Sequence, residues 1–220
     1  LITGSYPHNT GIYMNQSSAG LPKNVWTFPA ALRRAGVQTA LYGKNHFRPF
    51  GLNPRDSYEK QNLVIRNQLG FDHAFSMGGK VAVSARKHPP EKDPYSKHLH
   101  DKGIYDKLVA AYTTHRKGLD IDFPLDEEDY VDTFIINSAI KWLKTETSRK
   151  DPFFLWIDLT LPHPPMDVPQ KYKDLYKDTE LAPVIPMRKA GLPASLTNDM
   201  KADARDSTEY RRGYLAMITM

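Results

Sequence analysis

A lysine and a histidine stand two residues apart, directly after an apolar run and a glycine, in Leu41-Tyr42-Gly43-Lys44-Asn45-His46-Phe47. In an extended segment, residues i and i+2 point to the same side. The spacing therefore predicts that Lys44 and His46 converge on one small anionic group. The lysine supplies fixed charge and N–H donors, and the histidine can also pass a proton near neutral pH. A second such place lies downstream, where Phe153-Phe154-Leu155-Trp156-Ile157-Asp158-Leu159 runs into Leu161-Pro162-His163-Pro164. Both put polar groups at the C-terminal end of a buried strand, the end of an open α/β sheet where ligands bind.

The elements that position these groups are legible from their punctuation. Residues 3 to 24 read as loop. Thr27 is placed to cap a helix that starts at Phe28-Pro29, with proline tolerated in the first turn, and Gly36 ends it. Val37 to Tyr42 is then a strand. Tyr58 to Leu69 reads as a helix, Gly70 to Phe75 as a short strand, Lys87 to Pro94 as loop and Ile104 to His115 as a helix. Asp126-Glu127-Glu128-Asp129 opens the clearest helix, because acidic residues complement the dipole at a helix start. Tyr130, Val131, Phe134, Ile135, Ile136, Ala139, Ile140, Trp142 and Leu143 follow at three- and four-residue spacings and predict a broad buried face. The unbroken apolar character of 153–159 predicts burial on both faces, hence a parallel sheet covered by helices. Pro169 to Tyr176 reads as a short helix and 177–205 as irregular. A last helix begins near Asp206-Ser207, with Tyr210, Tyr214, Met217 and Ile218 on one face.

The chain has 220 residues, 40% hydrophobic and 25% charged, enough for one large domain with a real core. It has no cysteine, which excludes disulfides, thiolate metal sites and a cysteine nucleophile within these residues. No run approaches the ~18 apolar residues of a membrane span. The net charge of +5 is localised: from Lys80 to Lys117 there are nine basic and four acidic residues. Such an excess is either a solvated surface excursion or a basic lip that attracts an anionic substrate. Few aromatics and no recognition motif speak against nucleic acid. Asn15-Gln16-Ser17 fits a glycosylation sequon, a match frequent by chance. The chain opens at Leu1-Ile2-Thr3-Gly4 without an initiator methionine or a signal-peptide pattern, and stops inside a helical pattern. It reads as an internal piece of a longer protein.

Several segments match one family in order and spacing: Leu1-Ile2-Thr3-Gly4, Tyr6-Pro7-His8-Asn9, Thr27-Phe28-Pro29 with Leu32, Gly36 and Thr39, Gly43-Lys44-Asn45-His46, Gly70-Phe71-Asp72, Pro152-Phe153-Phe154-Leu155 to Pro162-His163-Pro164-Pro165, and Pro169-Lys171-Tyr172. The chain resembles the sulfatase family of the alkaline-phosphatase-like superfamily over most of its length, most weakly at 80–120 and 177–205, which read as variable excursions of a single catalytic domain. The resemblance implies a three-layer α/β/α sandwich with a mostly parallel sheet. It implies hydrolysis of a sulfate monoester to an alcohol and sulfate, and a periplasmic, secreted or lysosomal setting. It also implies a formylglycine nucleophile made from the Cys or Ser of a C/S-x-P-S-R motif, and a divalent metal, usually Ca²⁺. That motif falls just before the position of Leu1, so nucleophile and metal ligands are expected outside these residues, and the piece by itself is expected to be inactive. Ser5 stands where the family commonly has Arg or Lys.

Carried over residue by residue, the resemblance makes Lys44 the sulfate-contacting lysine and His46 the histidine beside the nucleophile. It makes His163 the histidine near the leaving-group oxygen, as general acid or sulfate donor. Sulfuryl transfer builds charge on non-bridging oxygens, which a fixed cation in a dry site stabilises. His8, Asn45 and Arg48 are candidate substrate contacts; a loop-bracing role for His8 fits as well. His98-Leu99-His100 has a metal-like spacing without acids in register and reads as a surface pair. Two alternatives stay open: a phosphodiesterase or phosphonate monoester hydrolase of the same superfamily, and a non-catalytic homologue acting as a binding module. The basic excursion fits a sulfated carbohydrate; small aryl or choline-type sulfate esters fit nearly as well.

Overall fold

The computed structural model describes residues 1–13, 20–47, 56–84, 89–114, 121–146, 151–183 and 208–220. They form two compact units, Leu1–Asp106 with Glu128–Thr160, and Lys107–Glu127 with Leu161–Met220. The predicted sequon and Arg48 lie outside the described residues.

The first unit is built on three parallel strands, β1 (Gln38–Gly43), β2 (His73–Ser76) and β3 (Phe153–Asp158), in the order β2-β1-β3. β1 is central, pairing Leu41 with Ala74 on one side and with Trp156 on the other. Alternation along each strand sends side chains to opposite faces. One face carries Leu41, Phe154 and Trp156, packed with Ile2, Phe28, Ile65, Leu69 and Phe71. These come partly from α2 (Phe28–Arg34) and α3 (Tyr58–Leu69), which follow α1 (Pro7–Thr10) in the chain. The other face carries Tyr42 and Phe75, which meet Trp142 and Phe134 of α7 (Val131–Thr145). Helices on both faces of a parallel sheet make the expected α/β/α sandwich.

The segments between these layers are held by side-chain bonds. Thr27 Oγ1 accepts from the Ala30 N–H at the start of α2 and donates to the Leu69 carbonyl at the end of α3. Gly70 follows with φ +83°, and a Cβ there would lie 2.5 Å from Ala30 Cα. Only a glycine lets the two helix ends meet this closely. Asp72 then accepts from the Thr39 N–H at 2.9 Å and pairs with Arg33 at 2.8 Å, clamping the start of β1.

Several expectations change. β3 is not buried on both faces: Phe153 and Ile157 are 50% and 40% exposed. It pairs only with β1 among the described residues, so one flank lacks the neighbour that a central parallel strand has. Ile136 and Ile140 of α7 are exposed in the same way, while Ile135, Ala139 and Trp142 are buried. The stretch read as loop up to Pro94 holds a 3₁₀ turn at Pro90–Lys92 and runs straight into α5 (Pro94–Asp101), after α4 (Lys80–Ser84). Asp93 is the reason: its carboxylate accepts from the Ser96 N–H and Oγ and starts the helix. Among the described residues there, Lys97 pairs with Asp101, Lys102 with Glu128 and Asp129, and buried Lys80 lies over the Tyr130 ring.

The second unit contains α6 (Tyr105–Thr114, mostly), α8 (Gln170–Asp174) and α9 (Thr208–Thr219). Buried Tyr112 donates to fully buried Asp167, and Arg212 donates to the Thr179 carbonyl. In α9 the buried residues are Gly213, Ala216 and Met217, whereas Tyr214 and Ile218 are largely exposed, so the buried face is rotated from the aromatic one expected. The loop expected over residues 3–24 includes the short helix α1. No helix among the described residues is long and apolar enough to cross a membrane.

One buried carboxylate controls the exit of β3. Asp132, 4% exposed, accepts from the Thr160 N–H at 2.7 Å and from its Oγ1 at 2.8 Å. Asp132→Ala is expected to lower unfolding free energy by about 2–3 kcal/mol, because it orphans a buried N–H that was bonded to a charge. Denaturant midpoints of the full-length protein measure this; Asp132→Asn, which keeps an acceptor, should lose less. An unchanged midpoint for Asp132→Ala would contradict the bond's importance.

Candidate functional site

β1 ends at Gly43 because a glycine is needed there. Its φ is +108°, and a Cβ would sit 2.0 Å from the Asp158 carbonyl oxygen, the residue paired with it across β1 and β3. The next N–H, of Lys44, donates to that same oxygen at 3.0 Å. The two strand ends are thus locked together where Lys44 leaves the sheet. Extended structure stops at Gly43, one residue before the lysine, so the alternation argument for Lys44 and His46 does not carry through the turn. Lys44 is half-buried, and the end of its side chain runs along Gly79. His46 is exposed.

The residues around this turn are fixed from within. The Asn45 side-chain amide donates to Ser76 Oγ at 2.8 Å, and its oxygen accepts from the Phe47 N–H at 3.2 Å. Asn45, expected as a substrate contact, therefore ties the end of β1 to the end of β2. Ser76 is itself held through its N–H by Asn62 Oδ1 of α3. Phe47 stacks on Phe71 and meets Trp156 edge-on, anchoring the turn in the core. Asp158, at the end of β3, accepts from Trp156 Nε1 at 2.7 Å. Burial holds its carboxyl above the usual carboxylate range, and the indole N–H works against that rise.

His163 belongs to the second unit, five residues after Asp158 in the chain. It is exposed, between cis peptide bonds at Leu161-Pro162 and Pro164-Pro165. Its Nδ1 lies 2.6 Å from the Pro164 carbonyl oxygen. A carbonyl only accepts, so Nδ1 carries the hydrogen of this bond. His8 is exposed in α1 and stacks on Tyr6 at 5.7 Å. His98 and His100 fall on α5, where a two-residue spacing turns them to different sides. His98 pairs with buried Asp129 at 2.8 Å.

Ser76 and Gly79 flank the lysine turn and were not among the residues expected from the sequence. A polar residue followed by Met77-Gly78-Gly79 at the end of a strand was the available signal. Among the described residues, no three His, Asp or Glu side chains gather as metal ligands do, and no C/S-x-P-S-R run occurs in the chain.

The chain matches the sulfatase family model over residues 1–218. It is 26% identical over 157 residues to an arylsulfatase of Clostridium perfringens (strain 13 / Type A), covering 70% of this chain and 30% of that protein. An arylsulfatase of Klebsiella aerogenes is 26% identical over 161 residues, 71% of this chain and 28% of its own length. The chain thus spans under a third of these relatives. The crystal structure of a phosphonate monoester hydrolase from Agrobacterium radiobacter aligns with 100% of this chain and 45% of its own, at TM-score 0.61 and 18% identity. That of Ps i-CgsB in complex with k-i-k-neocarrahexaose aligns with 99% and 39%, at TM-score 0.51 and 18% identity. At that identity the likeness is one of fold, the alkaline-phosphatase-like α/β sandwich. A family match along nearly the whole length, on a parallel sheet covered by helices on both faces, makes this chain a member of the sulfatase family.

Proposed function

We propose that the protein containing this chain hydrolyses sulfate monoesters, and that the turn after β1 forms one wall of its sulfate site. The supporting observation is Lys44: a half-buried lysine at the C-terminal end of the central strand of a parallel sheet, on a turn braced by Asn45 and Phe47. Its charge stabilises the non-bridging sulfate oxygens as the S–O bond to the alcohol breaks. His46 holds or deprotonates the group that attacks. His163 gives its Nε2 proton to the departing alcohol oxygen, its ring oriented by the Pro164 carbonyl. His8 and Arg48 are proposed to contact the substrate beyond the sulfate. The substrate is an anionic sulfate ester, with a sulfated carbohydrate and a small aryl sulfate as the two classes to compare.

Turnover of 4-nitrophenyl sulfate, a sulfated disaccharide and a phenyl phosphonate monoester by the full-length protein tests this reading. Faster turnover of the phosphonate would favour the phosphonate hydrolase alternative; no turnover of any would favour a binding module.

The role of His163 has its own signature. His163→Ala is expected to lose roughly 10²–10⁴-fold in kcat/KM on an alkyl sulfate, whose leaving group needs a proton, and much less on 4-nitrophenyl sulfate. The alkaline limb of the wild-type pH–rate profile, where the acid has lost its proton, should disappear. Equal losses on both substrates with an unchanged profile would remove His163 as the general acid.

A further inference from the structure

The end of the Lys44 side chain lies beside Gly79, the second glycine of a pair outside the family-like segments. Gly78 and Gly79 follow β2, at the same end of the sheet as the Lys44 turn. Neither has the left-handed φ that would demand glycine for backbone reasons. The space around each is what matters. A Cβ on Gly78 would come 2.7 Å from Ala82 Cβ, in the helix that follows. A Cβ on Gly79 would come 2.6 Å from Lys44 Cδ, 3.0 Å from Cε and 3.1 Å from Nζ. The volume that a side chain at 79 would fill is the volume in which the end of Lys44 lies.

The glycine pair cannot give way easily. The Gly78 N–H donates to Asp93 Oδ1 at 2.8 Å, and Asp93 is 2% exposed and caps α5. The Gly79 carbonyl accepts from the Ala82 N–H at 2.8 Å and starts α4. Met77 and Lys80, on either side, are 1% and 2% exposed. Lys44, by contrast, is a chain of single bonds beyond Cβ. A methyl group at 79 therefore displaces the lysine, at small cost to the fold.

We propose that Gly79 is a positioning residue: its missing side chain is the groove that seats the last methylenes and the ammonium group of Lys44 and so sets where the positive charge sits. The proposal rests on Lys44 being the sulfate-contacting cation. A charge misplaced by about 1 Å costs on the order of 10²-fold in rate while leaving the substrate bound elsewhere. The effect belongs in kcat more than in KM, because the charge is needed most where oxygen charge develops.

The test compares wild type, Gly79→Ala, Lys44→Ala and the double variant of the full-length protein on 4-nitrophenyl sulfate, with melting temperature alongside. Gly79→Ala is expected to lose about 10–100-fold in kcat with little change in melting temperature. Added to Lys44→Ala, it should cost nothing further, since it acts through that lysine. A second arm needs no turnover: labelling of Lys44 by an amine-reactive ester, followed by peptide mass spectrometry, should be at least about threefold faster in Gly79→Ala, because the amine has left its groove. An unchanged labelling rate, or a loss in Gly79→Ala that persists undiminished in the Lys44→Ala background, overturns the proposal. If wild type turns over no sulfate ester while labelling still accelerates, the seat stands and the sulfatase reading fails.

Discussion

Lys44→Ala in the full-length protein should lower kcat on an aryl sulfate by roughly 10²–10³-fold, the usual cost of removing one group that stabilises developing charge in a dry site. Lys44 is half-buried, beside a turn whose other members are bonded to β2 and packed in the core. Its charge is therefore less screened than that of a surface lysine, and its position less free. KM should rise less than kcat falls, because ground-state sulfate already carries charge that other groups also meet. Lys44→Arg should not restore the rate: a planar guanidinium does not fit a groove that holds two methylenes and an ammonium. Steady-state kinetics decide the matter. A kcat/KM for Lys44→Ala within about twofold of wild type would end the role assigned to this residue.

Gly43→Ala is the largest expected effect on stability. Its φ of +108° lies where an L side chain is strained, and the added Cβ would lie 2.0 Å from the Asp158 oxygen, 2.9 Å from its carbonyl carbon and 3.2 Å from Ile135 Cγ2. Two of these three atoms are backbone, so relief requires the β1 and β3 ends to part. That would break the Lys44 N–H bond to Asp158. Backbone strain and overpacking of about 1–3 kcal/mol each give a loss of roughly 2–6 kcal/mol. The expected result is a lowered denaturation midpoint or failure to accumulate folded protein. A Gly43→Ala protein that melts with wild type would contradict the close approach of the two strands. The contrast with Gly79 is instructive: there the clash is with the tip of a flexible side chain, so function and not folding should suffer.

Most of the family-like signature in this chain is scaffolding when seen in three dimensions. Thr27 joins the start of α2 to the end of α3, Gly70 lets α3 abut α2, and Asp72 clamps β1. Asn45 lies within the lysine motif, yet its amide holds Ser76. Sequence spacing could not separate such residues from chemical ones, because both are polar or glycine residues at element ends. The three strands, the capped α2, α3 and most of α7 were readable because their caps and periodicity are local. α5 escaped notice because prolines and charges around 89–94 mask an Asp cap.

By itself, the sequence determined the parallel α/β architecture, the family, and which end of the sheet carries Lys44, since each rests on local pattern or on motif order. Which groups surround that lysine was decided only by tertiary structure. Gly79 lies thirty-five residues away in the chain. Only the parallel pairing of β1 with β2 brings that glycine alongside, and only its missing side chain leaves room for the charge.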